Sequence, residues 1–441
     1  MGAVTWGIVF RLRQYLRGSL WVVPLLAAIL GVILGALAGI AQNIELPAHW
    51  QYSPSTASSV LSAIVGSTAA LIGFVVTVTV LVVQMATGTF SARYMRLWYR
   101  DRMLKATLAV LIGTLAFSFQ LLRRVESNFV PNLGITIAGA LLVISLLLFM
   151  VYLDRVLHRM RPVAVAALVA KSGRAALEAA ARAAGSPDAP DFVHGRYDPD
   201  QEPTHRVNSR HAGSIQAIDE TGLVRWARKH HCLLLLPHVV GDFLPAGATL
   251  VEVYGDVSDR SARRLNGMVA LGTERTIEQD PAFAIRIMVD IANLALSPAV
   301  NDPTTAVQVI DHLGETLRLI GTTDLVGQSN FRGAPSAGSV VMHARRWDDF
   351  LQLAVTEIRD YGATGIQVNR RLRAMLEELR ETVRPDYRRA VENELARLSA
   401  SVHTAWIDSP DLDRALAADR QGLGGPAEPD ESLMPAGELP G

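Results

Sequence analysis

Four runs without a single Asp, Glu, Lys, Arg or His constrain this chain more than any other feature: Leu20 to Ala41, Val60 to Met85, Ala106 to Leu122 and Pro131 to Leu153. A helix needs about 20 apolar residues to cross a hydrocarbon core, within a range of about 17 to 25. The third run is at the short end, but Lys105 and Arg123 flank it and can extend their charged ends to the interface. A charge at the centre of a span costs about 2.5 to 3.5 kcal/mol on insertion scales, so charge-free runs of this length predict spans. The expectation is a transmembrane domain over residues 1–160, with spans near 20–41, 60–85, 106–122 and 131–153. The first run is too long for the apolar part of a cleaved leader and reads as a retained span.

The loops set an orientation. Arg11, Arg13 and Arg17 precede the first run, and Arg93, Arg96, Arg100, Arg102 and Lys105 lie between the second and third. Arg155, Arg159 and Arg161 follow the fourth, whereas Asn43 to Ser59 contains no Lys or Arg. The bias of basic residues toward the cytoplasmic side then places both termini in the cytoplasm of a multi-pass inner-membrane protein.

Composition narrows the chemistry. Lys plus Arg and Asp plus Glu are 42 each, so no net charge points to nucleic acid or another polyanion. The lone Cys232 excludes an internal disulfide framework and most cysteine-based metal sites. The residues announce no cofactor and no metal.

Two runs carry more than hydrophobicity. Ala27, Gly31, Gly35 and Gly39 recur every four residues in the first, which allows another helix to approach closely. That helix belongs either to the same bundle or to a neighbouring subunit. The second run has a small and polar stripe at helical spacing: Ser59, Ser62, Gly66, Ala69, Gly73, Thr77, Val80, Gln84 and Thr87. In lipid such a face must meet another helix or water. It is either a packing seam or the lining of a pore in a homo-oligomer. The lack of ionisable residues in the runs argues against a proton relay.

After the spans, residues 161–185 read as a helical extension, and the proline-rich 186–206 as a linker. Residues 207–257 read as a small β-containing unit. Its strands are expected at Ser214–Asp219, Cys232–Leu236 and Thr249–Tyr254, with a short helix from Thr221, itself the possible cap, to His231. Gly241 to Gly247 forms a turn-rich segment resembling small barrels such as lipoyl carriers, but it offers no lysine to modify. His230, His231 and His238 suit solvated or packing roles better than a metal, since adjacent histidines on a helix diverge.

Residues 258–407 read as a helical cytoplasmic domain, and 408–441 as a disordered tail. Asp280-Pro281 and Asp302-Pro303 each place Asp at an N-cap and Pro at the first helical position. The first of these helices, Pro281 to Leu296, is apolar nearly all round except for a stripe of Arg286, Asp290, Asn293 and Ser297. A buried charge needs a partner, so this stripe is either a structural network or the wall of a ligand or partner site. Arg275, Asn301, Asp302 and Thr304 flank it and complete the candidate interaction residues. Arg346 to Val383 and Asp386 to Ile407 read as a helical hairpin, with the first helix either interrupted or kinked at Gly362 and Gly365. The fold class is thus an α-helical membrane protein with four spans and an α+β cytoplasmic domain.

The run from Gly272 to Pro281, continued by Val289-Asp290-Ile291-Ala292 and by Ala295 to Ala306 with its Leu-Ser-Pro…Asn-Asp-Pro, resembles a bacterial family of predicted membrane proteins, domain of unknown function 2254. The Ser/Thr-rich second span and Tyr361-Gly362-Ala363 also resemble that family. The resemblance implies a bacterial inner-membrane protein and supplies no activity. No catalytic residue stands out, because no nucleophile elbow, phosphate-binding glycine loop or zinc motif is present. Two readings therefore stand. One is a membrane-anchored sensor, regulator or scaffold with a cytoplasmic ligand or protein partner. The other is a homo-oligomeric channel lined by the second span.

Overall fold

The structure is a computed structural model describing residues 3–38, 51–89, 101–127, 129–159, 161–184, 192–194, 201–323 and 338–425. It divides into two compact units, Leu12–Ala164 and Met1–Arg11 with Val165–Gly441. Arg93, Arg96 and Arg100 lie outside the described residues, as do Gly39 and most of the proline-rich linker.

The first unit is helical. Helix α1 (Ala3–Gly18) enters it, and α2 (Val22–Ala38), α3 (Pro54–Thr89), α4 (Arg102–Leu122) and α5 (Asn132–Arg159) form its body. Three of these, α3, α4 and α5, are long and apolar enough to cross a membrane. Helix α2 has 17 residues, and only when α1 and α2 count as one span bent by 76° do the candidates number four.

Helix α4 is the central member, with Leu104, Leu111, Phe117 and Leu121 buried. Its neighbours show why small residues recur on α2. A Cβ on Gly31 would lie 2.5 Å from the Gly113 carbonyl oxygen, and one on Gly35 would lie 2.9 Å from the Gln120 Cβ. This glycine stripe is therefore consumed inside the bundle. Ala57, Leu61 and Ile64 of α3 close a core with Phe117, Leu121, Ile135 and Ala138. Hydroxyls join the helices across it: Thr114 meets Ser145 at 3.3 Å, and Thr79 meets Tyr152 at 2.9 Å.

Lys105 does not behave as a flank reaching for the interface. Its ammonium is buried and donates to the Arg17 carbonyl at 2.6 Å, at the end of α1. Arg124 likewise donates to the Ala36 carbonyl at 2.8 Å, in the last turn of α2. Each basic side chain satisfies carbonyls that a helix end leaves without partners.

The second unit contains α6 (Pro162–Ala184) and two sheets among its described residues. The five-stranded sheet runs β1 (Phe192–His194), β8 (Val340–Met342), β4 (Leu233–Leu236), β6 (Thr249–Tyr254), β2 (His205–Asn208). Strand β8 is parallel to β1 and β4, whereas β6 is antiparallel to β4 and β2. The three-stranded sheet places β3 (Gly213–Ile218) between β5 (Phe243–Leu244) and β7 (Val269–Gly272). Two strands thus come from the segment read as helical. Runs of three or four residues are too short to announce a period.

Helix α7 (Glu220–His230) is capped by Asp219, whose carboxylate accepts from the Gly222 N–H, and not by Thr221. A short α8 (Asp259–Ala262) leads toward β7. Then come α9 (Pro281–Ala295), α10 (Pro303–Thr322), α11 (Trp347–Tyr361), α12 (Ile366–Thr382), α13 (Pro385–Ala405) and α14 (Leu412–Leu416). Of the two outcomes expected at Gly362 and Gly365, the structure has the interruption: the helix stops at Tyr361 and restarts at Ile366, giving α11 and α12. Residues 408–425 depart from the disorder expected over 408–441, since α14 lies within them and the turn after it is held by hydrogen bonds. Asp419 accepts from the N–H groups of Gln421, Gly422 and Gly424, and Gly425 is held by Arg370.

Candidate functional site

Helix α9 is buried on nearly every side because Ala282, Phe283, Ile285, Ile287, Met288, Val289 and Ile291 all face protein. Its polar stripe is the exception, and the structure gives it a partner on α11. Arg286 Nε donates to Asp290 Oδ1 at 2.7 Å along the helix. Its two terminal nitrogens make a bidentate pair with Glu357, at 2.5 and 2.7 Å. Asn293 Nδ2 adds a third bond to Glu357 Oε2 at 2.7 Å.

The Arg286 and Asp290 side chains are 25% and 16% exposed, and Glu357 is 43% exposed. The hydrogen bonds that Arg286 donates to Glu357, ahead of the opposing effect of burial, hold its guanidinium above its ordinary pKa. The cluster therefore stays a cation between two carboxylates. It contains no nucleophile, and its one unmet group is Asn293 Oδ1, a buried acceptor without a hydrogen-bond partner. Such an arrangement ties α9 to α11 by charge-assisted bonds.

Ser297 does not join it. Its hydroxyl turns back to the Leu294 carbonyl at 2.7 Å. The loop that follows is explained by backbone geometry. Asn301 takes a left-handed φ of 48°, a conformation that Asn tolerates better than most residues. Asp302 then caps α10, accepting from the Thr305 N–H at 3.0 Å and from its hydroxyl at 2.5 Å. Thr304 is exposed beside this cap.

Arg275 belongs to a different neighbourhood, around Asp280 at the start of α9. Asp280 is 2% exposed, and its Oδ1 accepts from the Phe283 N–H at 3.2 Å. Oδ2 is buried without a hydrogen-bond partner. Gly241, at φ 99°, passes directly over it, and a Cβ there would lie 2.3 Å from Oδ2. Burial raises the Asp280 pKa, and the charges of Arg345 and Arg275 offset part of that rise.

The α3 stripe forms the second candidate. Ser59, Ser62, Gly66, Ala69, Gly73, Thr77, Val80 and Gln84 are all exposed on this chain; the side chain of Thr87 lies outside the described residues. A Cβ added to Gly66 or Gly73 would meet nothing within 4 Å. The buried seam of α3 is Ala57, Leu61, Ile64, Thr68, Val75 and Val82. At about 100° per residue the stripe is centred about 160° around the helix from that seam. It is consequently not a seam within this bundle. Hydroxyls on it return to the helix: Ser59 to the Ser55 carbonyl and Thr77 to the Gly73 carbonyl, each at 2.9 Å.

The profile of a family described as predicted membrane proteins, domain of unknown function 2254, matches residues 17–378. The chain belongs to this family. Among the relatives of this family member are the uncharacterized proteins MT1328 and Rv1290c of Mycobacterium tuberculosis and Mb1321c of Mycobacterium bovis. Each is 27% identical over 425 residues, covering 92% of this chain and 80% of the relative. No solved structure matches.

Within the family match lie Arg286, Asp290 and Asn293 together with Glu357, the partner that reasoning from sequence missed. Glu357 sits 71 residues from Arg286, and its only local signal is a place among several acidic residues on an amphipathic helix. The sequence marks Gly241 as part of a turn, but its place against Asp280 has no local signature.

Proposed function

We propose that this membrane protein works as a homo-oligomeric permeation pathway, in which copies of α3 turn their polar faces toward a shared axis. One observation carries the reading: the small and polar face of α3 from Ser59 to Gln84 is exposed on a single chain, opposite its packed seam. Hydroxyl, amide and glycine groups facing acyl chains are disfavoured, and neighbouring copies would remove that exposure. The lining is uncharged, which suits water and small solutes better than a proton relay. The second unit would then regulate from the cytoplasm, the side on which the arginine bias places both termini.

A second reading, an anchored sensor or scaffold, is favoured by the buried, unpartnered Asn293 Oδ1 beside the half-exposed Glu357. Cysteine scanning in liposomes separates the two. Burial pushes the Cys232 thiol up to about 11, and Cys232→Ala gives a clean background. We expect cysteines replacing Ser62, Gly66 and Thr77 to react with a membrane-impermeant thiosulfonate, and the reaction to block solute flux. Ile72 and Phe74, each about 100° around α3 from the centre of the stripe, should stay silent. Silence along the whole stripe, with a monomer by native mass spectrometry, would leave the sensor reading. Oxidative crosslinking without thiosulfonate labelling would mean a dry subunit seam.

A further inference from the structure

Helix α1 is the element that neither candidate site absorbs. Ile8, Leu12 and Tyr15 are each more than half exposed, at 52%, 54% and 57%, and Val9 and Leu16 are exposed beside them. These five side chains fall within an arc of about 120° of the helix. Arg11 borders one edge of that arc; Arg13 and Arg17 border the other, and all three are exposed. The far side is occupied. Gly7 is buried, and a Cβ there would lie 2.6 Å from the Gly267 carbonyl oxygen. One face of α1 thus packs on protein, while the outward face is apolar and rimmed by guanidinium groups.

Such a face on a helix in water is a liability, and its surroundings say what covers it. The outward surface continues through Trp21, itself exposed in the break, into α2, where Val23, Leu25, Leu26, Ile29 and Leu30 are exposed. On α2 those residues meet acyl chains if it spans. The two helices are bent by 76°. A helix at that angle to a span lies close to the membrane plane. Helix α1 is a poor first half of a span, because Arg11 and Arg13 fall in its middle at about 2.5 to 3.5 kcal/mol each. Nor is it needed for length, since the 17 residues of α2 alone reach the lower limit of about 17.

We propose that α1 is an in-plane interfacial helix that sinks Ile8, Leu12, Tyr15 and Leu16 among the acyl chains and sets Arg11, Arg13 and Arg17 against anionic phosphate headgroups. Arginine suits the second task because its planar fork matches phosphate geometry. Anionic lipids in a leaflet attract basic residues held at its surface. An apolar face with basic edges is the pattern of helices that lie in an interface instead of crossing it.

The test uses the full chain in nanodiscs with Cys232→Ala and single nitroxide labels from Ile8 to Arg17. Accessibility to oxygen and to a water-soluble nickel chelate is read at each position, with phosphatidylcholine alone and with added phosphatidylglycerol. The proposal expects the oxygen-to-nickel ratio to oscillate with the helical period, peaking at positions 8, 12, 15 and 16 about a constant mean depth. Added phosphatidylglycerol should deepen the peaks. The combined Arg11→Gln, Arg13→Gln, Arg17→Gln variant should lose that response and keep the oscillation. A depth that rises steadily from one end of α1 to the other would overturn the proposal in favour of a bent span. Nickel access at every position would overturn it in favour of a surface away from lipid. Oscillation without any response to phosphatidylglycerol would overturn the headgroup assignment.

Discussion

Arg286 and Asp280 show two ways in which a charged side chain is kept inside a folded chain, and each yields a measurable consequence. Arg286 is shared between Asp290 and Glu357, so losing one carboxylate leaves the other in place. Asp290→Ala should therefore cost about 1.5 to 3 kcal/mol, the range of a charged hydrogen bond, and not the ~3 to 5 kcal/mol of stranding a fully buried charge. Glu357→Gln should cost less, under about 1 kcal/mol, because that side chain is nearly half exposed and the amide keeps an oxygen to accept from Arg286. Denaturant unfolding of the two variants checks the order. Asp280 is different, because burial raises its pKa above the ordinary 3.8. A raised acid adds stability below its unfolded pKa, and that contribution is lost as pH rises through the folded value. Asp280→Asn keeps an oxygen to cap α9 but removes the ionisation. Its thermal midpoint should fall less than the parent's as the pH rises above the ordinary carboxylate value of 3.8. Asp280→Ala loses the cap as well and should be about 1 kcal/mol less stable than Asp280→Asn at every pH.

At the scale of elements, two helices with similar small-residue spacing end in opposite situations. A Cβ on Gly31 or Gly35 of α2 would meet the backbone and side chains of α4, whereas one on Gly66 or Gly73 of α3 would meet nothing within 4 Å among the described residues. Gly31→Leu should break the bundle and abolish folded protein in detergent, because a branched side chain cannot fit where a Cβ alone comes 2.5 Å from an oxygen. Gly66→Leu should leave the monomer folded and reduce only the population of higher assemblies. Size-exclusion chromatography with circular dichroism distinguishes these outcomes. This contrast also marks where sequence was informative. Charge-free runs and Asp-Pro caps depend on neighbours within a turn, and the structure has Asp280 and Asp302 capping their helices as read. The identity of the helix that meets a small-residue face depends on residues far along the chain. So do the partner of Arg286 and the strands β7 and β8. Periodicity announces a face, but not what lies across from it.

For the whole molecule, the informative boundary is at the C-terminal end. Arg370 is 1% exposed on α12, and its guanidinium donates to the carbonyls of Ala417 at 3.3 Å and Gly425 at 2.5 Å. Gln367 adds a bond to the Gly422 carbonyl, also at 2.5 Å. The glycines that made this stretch look structureless are what let it turn so tightly, with Gly422 and Gly424 at φ 68° and 72°. A soluble fragment cut at Val207 and Ile407, as the helical pattern alone would suggest, divides β2 and strands a buried guanidinium without those carbonyls. Burying such a charge without acceptors costs several kcal/mol, a large part of the stability of a domain this size. A fragment over 162–425 keeps α6, both sheets and the carbonyls around Arg370. We expect 162–425 to be soluble with a cooperative thermal transition, and 207–407 to aggregate or melt without one. Arg370→Met should bring the shorter fragment partway back, because an unpartnered cation is then replaced by an apolar chain of similar length. Equal behaviour of the two fragments would mean that the segment after α13 adds nothing to the fold, and that the Arg370 bonds are made with little net gain over water.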